Sequence, residues 1–522
     1  MAKIKPSGKI TIIILVVLVA LSGLYFSGNL DTSSIFPDDE TNITSDNTSD
    51  NSKKNVKTLS KDVKTLTIGV VTWGGYAGGQ YFNNGFSANT NSRYYKDYGF
   101  FVEFKVLDDF DASRAAWKSD EVDLLWATTG SFSTEAPGLA EFEPQIIFQS
   151  DWSRGGDAVV VRKGITTVND LKGKTIAVAP MTPSHTFFLN LLEAGNLKQT
   201  DLTVVEVANA IDAAALFKGG QVDAAVVWSP DDISCIKTVK GSKVLQSTKQ
   251  ASYIIADMFI AKKSFVNTHK TELSQLVEGW LIGASEINTS GAAKNKAIKI
   301  LSEGLNIASD EALGAINNVR LTTYGDNLNY FGLNPSFEGV TGEKIYGKMV
   351  QKYKEVGYLT ENTYWRTVGN PNIIRNIKLT GPQHLPEGSV TFTTPTLAME
   401  DTNKTVAVST KQVSVSFPTG SSTLSEDSKY KIDREFLDIA QNFANSRIRI
   451  SGNTDNTGNY KNNVKLSKRR AQAVATYLTN EHNFDRNRFV VVGNGPDNPT
   501  NSNNTSQGRA KNRRTDFELI SE

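Results

Sequence analysis

A chain of 522 residues exceeds one ordinary domain and predicts two or three domains plus linkers. With 56 Lys and Arg against 55 Asp and Glu, the formal charge is +1, and no basic stripe interleaved with stacking aromatics occurs, which argues against a nucleic-acid partner. Cys235 is the sole cysteine, so no intrachain disulfide forms, and four scattered histidines (His185, His269, His384, His482) offer no zinc-type spacing. No metal or other cofactor is expected.

Residues 1–9 carry Lys3, Lys5 and Lys9 and read as a basic cytoplasmic tail. Residues 10–26 are apolar apart from Thr11, Ser22 and Gly23, the short end of what spans a bilayer as a helix. This predicts a single-pass inner-membrane anchor with the bulk of the chain in the periplasm. A cleaved signal peptide, with Ala20-Leu21-Ser22 as its small-residue site, is the competing reading, and either one exports the remainder. Residues 27–63 are dominated by Asn, Ser, Thr and Asp, too polar to bury a core, and predict a flexible tether.

An ordered domain is expected over residues 64–376. It begins with the apolar run Leu66–Val71, which ends in Thr72-Trp73-Gly74-Gly75-Tyr76-Ala77-Gly78-Gly79. A strand followed by a glycine-rich turn lets backbone amides approach a ligand, although the spacing fits neither a dinucleotide fingerprint nor a phosphate loop. Further strands are predicted at Phe101–Leu107, Val122–Trp126, Ala158–Val161, Thr175–Ala179, Leu202–Val207, Ala224–Trp228 and Tyr253–Ala261. They alternate with helical stretches, the pattern of an α/β domain with mostly parallel sheets.

Two segments are more specific: Val168-Asn-Asp-Leu-Lys-Gly-Lys-Thr-Ile-Ala-Val178, leading into Pro183-Ser184-His185-Thr186, and Gly220-Gln-Val-Asp223-Ala-Ala-Val-Val-Trp228-Ser-Pro230. On these residues the domain resembles the periplasmic solute-binding proteins of ABC importers, of the subgroup handling sulfonates, taurine, nitrate and pyrimidine precursors. The resemblance implies a two-lobed periplasmic-binding-protein fold, with one lobe from 65–155 and 257–370, the other from 156–256, and a solute in the cleft between them. An ABC permease is the implied recipient. Cleft residues would then be Trp73, Gly74 and Tyr76 after the first strand, Thr128 and Thr129 after Val122–Trp126, Ser184, His185 and Thr186 at a helix start, and Trp228. That helix start suits an anionic or zwitterionic solute, while Ser184 and Thr186 equally suit helix capping and both tryptophans suit a core. An enzyme of this fold carries a cysteine-rich motif, which a chain with Cys235 alone lacks, so catalysis is not expected.

Residues 377–411 mix Thr, Pro and Gly and predict a second linker. The last domain, 412–522, opens with the alternating run Val413–Phe417, then a helix over Ser428–Ala444 and a strand over Arg447–Ser451. That strand enters Gly452-Asn-Thr454-Asp455-Asn456-Thr-Gly458. A helix follows, with Leu466, Val474 and Leu478 on one face and Arg470 beside them; later comes Gly508-Arg509-Ala-Lys-Asn512-Arg513-Arg514. A fixed carboxylate near a fixed guanidinium is what a zwitterion needs. These motifs resemble the OmpA-like peptidoglycan-binding family, an α/β sandwich, although Asn453 stands where that family commonly has His. The resemblance implies that Asp455 and Arg470 grip the diaminopimelate of a peptide stem, with Thr454, Asn456 and Arg509 around them. Asn512 and Arg513 are expected to pin the last strand. Motor stators share such a domain, but residues 10–26 hold no Asp or Glu to carry a proton. A structural or sensory envelope protein, with the solute-binding fold as spacer or docking module, stays open beside the transport reading.

Overall fold

A computed structural model describes residues 63–393, 406–418 and 420–520. The predicted anchor over 10–26 and nearly all of the tether over 27–63 lie outside the described residues, among which no helix is long and apolar enough to cross a membrane.

Three sheets organise the chain. The first is entered by β1 (Thr65–Val70), β2 (Phe101–Val106), β3 (Leu124–Thr128) and β4 (Pro144–Ser153). Residues 154–156 then cross to a second sheet of β5 (Asp157–Val161), β6 (Thr175–Val178), β7 (Thr203–Glu206), β8 (Ala224–Trp228) and β9 (Lys243–Ser247). Residues 248–255 cross back to β10 (Ala256–Lys262) and β11 (Val319–Leu321). The strand orders are β11-β4-β10-β3-β1-β2 and β7-β6-β8-β5-β9. Short apolar runs such as Leu66-Thr-Ile-Gly-Val70 and Ala224–Val227 form central strands because helices cover both faces of each sheet. The sheets are mixed rather than mostly parallel. β10 runs antiparallel to β3 and β4, and β5 antiparallel to β8 and β9, because each crossover strand re-enters its sheet in the reverse direction.

The third sheet, ordered β12-β15-β13-β14, contains β12 (Ala407–Val413), β13 (Arg447–Asn453), β14 (Phe489–Gly495) and β15 (Thr515–Ile520). The 23-residue helix Tyr460–His482 packs on it through Ala471, Val474 and Leu478, which are fully buried. Here the first strand lies earlier than the expected Val413–Phe417, because the ladder to β15 already ends at Val413.

Residues 377–393 were expected as linker, yet they lie packed on the first lobe. His384 is buried against Ser285, and Glu387 accepts from Arg154 at 2.6 Å and from the Tyr253 hydroxyl at 2.8 Å. Pro and Thr composition predicts an extended path, but side-chain partners decide whether that path is free. The C-terminal domain also meets both lobes. The Tyr253 amide donates to the Asn442 carbonyl, the Asn445 amide to the Gln250 carbonyl, and Gln441 Nε2 to the Glu338 carbonyl at 2.9 Å.

Candidate functional site

A cavity of about 80 Å³ lies between the two lobes. Trp73, Trp126, Thr128 and Asp257 line it from the first lobe, and Asp157 and Trp228 from the second. Trp73 ends the run after β1, Trp126 and Thr128 close β3, Asp257 opens β10, Asp157 opens β5 and Trp228 ends β8, so strand ends supply the chemistry. Asp157 accepts from Ser184 Oγ at 3.0 Å and Ser153 Oγ at 3.3 Å, with Trp228 as a third partner. Asp257 Oδ2 accepts from the Tyr76 hydroxyl at 2.8 Å. Behind the wall, Asp151 accepts from Trp73 Nε1 at 3.2 Å and from Ser150 Oγ at 2.9 Å. Two glycines are obligatory for this packing: a Cβ on Gly75 would sit 1.8 Å from Asp151 Oδ2, and one on Gly156 would sit 2.1 Å from the Trp73 ring.

Burial pushes Asp151 and Asp157 up to about 7, against the hydrogen bonds they accept. Asp257 is raised further by burial and by the neighbouring charges of Asp151 and Asp157. No Lys, Arg or His lines the cavity among the described residues. Arg114 lies nearby, its guanidinium 5.0 Å from the Trp126 ring, but Glu135 holds it in a two-pronged pair at 2.7 and 3.0 Å. Around the cleft the lobes touch. Thr186 Oγ1 meets the Tyr353 hydroxyl at 2.9 Å, and Glu193 pairs with Lys348 at 2.9 Å and Lys352 at 3.1 Å.

The second candidate site sits where β13 runs into the 454–458 loop. Asp455 Oδ1 accepts from the Thr457 amide at 2.9 Å and Oδ2 from Arg513 Nη1 at 2.6 Å. Partial burial raises the Asp455 carboxyl, but the Thr457 amide and Arg513 outweigh it and hold the group below its ordinary value. Arg470, on the inner face of its helix, donates to the carbonyls of Ser421 at 3.0 Å and Pro418 at 3.3 Å and stacks 4.9 Å from the Phe417 ring. Its Nη1 makes no hydrogen bond among the described residues. The Asp455 carboxylate and the Arg470 guanidinium feel one another's charge without a direct ion pair; Arg470 keeps Nη1, and Asp455, although paired with Arg513, keeps its remaining lone pairs for a zwitterion.

Over residues 145–288 the chain matches the family described as NMT1/THI5 like, and over 416–513 the OmpA family. The chain carries an NMT1/THI5-like domain of the periplasmic-binding-protein fold, fused to an OmpA-like domain. Its OmpA-like part is 38% identical over 103 residues to outer membrane protein Omp38 of Acinetobacter baumannii, covering 20% of this chain and 29% of that protein. It is 40% identical over 88 residues to peptidoglycan-binding protein ArfA of Mycobacterium tuberculosis, covering 17% and 27%. The chain thus spans under a third of these relatives' own length. Among solved structures, the periplasmic sulfonate-binding protein SsuA of Methylobacillus flagellatus superposes with a TM-score of 0.47 at 17% identity, over 60% of this chain and 94% of that one. The nitrate-binding protein NrtA of Synechocystis superposes with a TM-score of 0.45 at 13% identity, over 60% and 88%.

In the NMT1/THI5-like domain, the cavity brings together Trp73, Thr128 and Trp228 of the residues named from sequence. The others do structural work. Tyr76 is buried beneath Asp257, and Gly74 fits against the Ala315 backbone. Thr129 bonds Tyr330 and the Ala256 carbonyl, while His185 bonds Gln199 and the Met181 amide. With Ser184 turned to Asp157 and Thr186 to Tyr353, the helix start expected to hold an anion has no side chain left to do so. Trp126, Asp157 and Asp257 were not singled out, since a lone Asp bordering an apolar run reads as a turn or cap.

In the OmpA-like domain, Thr454 closes the loop through its amide to the Gly495 carbonyl, and Asn456 is exposed beside Asp455. Arg509 donates to the Asn503 carbonyl at 2.8 Å and is taken up locally. Asn512 does pin its neighbours, accepting from the amides of Thr500 and Asn501, each at 2.9 Å. Arg513 does not: it reaches Asp455 and belongs to the site.

Proposed function

We propose that this chain is a membrane-tethered periplasmic solute-binding protein. Its two lobes close on a small solute for delivery to an ABC permease, and its OmpA-like domain holds peptidoglycan. The observation that supports solute binding is the cavity built from strand ends of both lobes, because lobe closure then assembles the site and opening releases the solute. For the wall, support comes from Asp455 and Arg470, held within charge range but not bonded to one another, as partners for the ammonium and carboxylate of diaminopimelate. Asp455→Ala or Arg470→Ala should abolish co-sedimentation of the full-length protein with purified sacculi while its thermal melt stays within a few degrees. Undiminished sedimentation of both variants would sink the wall assignment.

A sensory or structural envelope role has one observation in its favour. The OmpA-like domain bonds to the returning crossover at Gln250 and Tyr253 and to Glu338 of the first lobe, so wall attachment and lobe geometry share contacts.

A further inference from the structure

We infer that the cleft selects a small organic cation, an alkylated ammonium, held between the carboxylates of Asp157 and Asp257 and walled by the indoles of Trp73, Trp126 and Trp228. This rests on the cleft being the solute site. Asp157 is 4% exposed and Asp257 5%, they come from opposite lobes, and neither has a basic partner among the described residues. Asp257 spends one oxygen on Tyr76, and the other has no donor among the described residues. An acid oxygen without a donor, in a cavity that a second buried acid group and three indoles also line, points to an ammonium ligand.

Physical reasons favour a cation over an anion. Buried acid groups without counter-charge keep their protons, and an entering ammonium lets them ionise where an anion would add like charge. Indole faces attract ammonium groups through the ring quadrupole, most strongly where water is excluded. Arg114 does not supply the missing charge, because Glu135 already neutralises it. Burial pushes Asp157 up to about 7 and raises Asp257 well above its ordinary value, the direction expected of a site whose counter-ion arrives with the ligand.

The test uses the full-length protein, with thermal shift and calorimetry against four probes: choline, its uncharged isostere 3,3-dimethylbutan-1-ol, methanesulfonate and nitrate. Choline should raise the melting midpoint and bind at least tenfold tighter than the isostere, and the two anions should leave the midpoint unmoved. Asp257→Asn keeps an acceptor for the Tyr76 hydroxyl but removes the charge. It should raise the midpoint of the unliganded protein and lose the choline shift, and Asp157→Asn, whose amide meets the Ser184 and Ser153 donors, should lose the choline shift as well. A merely structural role for Asp257 would lower the unliganded midpoint instead. Binding of methanesulfonate or nitrate without choline would overturn the cation inference and leave the cleft as the solute site. Equal choline binding by wild type and both variants would overturn it too, and silence from all four probes would take down the inference and the cleft reading together.

Discussion

Glu193, near the end of the helix Pro183–Ala194 in the second lobe, reaches Lys348 and Lys352 on the helix Gly342–Glu355 of the first. Replacing it with Gln removes the one carboxylate facing two ammonium groups across the lobe boundary. Burial raises the Glu193 carboxyl, but Lys348 and then Lys352 overcome this and bring it from 4.5 down to about 2. At ~1.4 kcal/mol per decade that is roughly 3 kcal/mol in favour of the charged form. A third of the Glu193 side chain is exposed, so solvent screening removes about half. Burial also lowers Lys352, the opposite of what a net-stabilised ammonium would show, which trims the figure again. About 1–2 kcal/mol remains, a shift of roughly 5–30-fold in the closed-to-open ratio. The assay is a distance distribution by paired spin labels at cysteines introduced for Ile211 and Glu303, one per lobe; Cys235 is fully buried and stays silent. Glu193→Gln should broaden the distribution toward longer distances at pH 7. Because the folded carboxyl titrates below its ordinary value, the wild type keeps this contribution above about pH 4.5 and loses it as pH falls toward 2. Identical distributions for variant and wild type at pH 7 would refute the reasoning.

Two further outcomes follow from named groups. Asp151, Asp157 and Asp257 titrate higher in the fold than in the unfolded chain, so between about pH 4 and 7 the folded protein holds protons that the unfolded chain has released. Their contribution to stability therefore falls as pH rises through that window. Urea denaturation should show a shallower pH slope for Asp157→Asn than for wild type, and parallel slopes would contradict the assignment. Arg488 is buried and donates to the carbonyls of Ser446, Ala440 and Phe443 at 2.7–2.9 Å, closing the end of the helix Asp438–Asn442. Arg488→Met leaves these acceptors without a donor and should cost the OmpA-like domain about 2–4 kcal/mol, read as lost hydrogen-exchange protection in β13 and β14.

Much of the chain's architecture was legible without coordinates. β1, β6 and β8 announce themselves as apolar runs, and Val474 and Leu478 mark the buried face of the helix Tyr460–His482. Such elements depend on neighbours two to four positions away, which sequence spacing records directly. β4 was not legible, because Gln149-Ser150-Asp151 interrupts its apolar pattern, and burying that stretch relies on Trp73 at the Asp151 carboxylate and on Asn327 and Thr322 at the Gln149 backbone, all from distant segments.

The Asp455 loop stands out as a motif, whereas its partner Arg513 lies 58 positions away in a basic run that reads as structural. In the cleft the split is sharper. Sequence alone determined that strands end in Trp73, Thr128 and Trp228, and that a Gly-Asn-Thr-Asp turn precedes an Arg-bearing helix. Only the tertiary structure decided that Asp157 and Asp257, a hundred residues apart, bring strands of opposite lobes into one cavity while Ser184 is spent on Asp157, and His185 and Thr186 on Gln199 and Tyr353. Charge at a site is a sum over whatever the fold brings within a few ångströms, and no local pattern carries that sum.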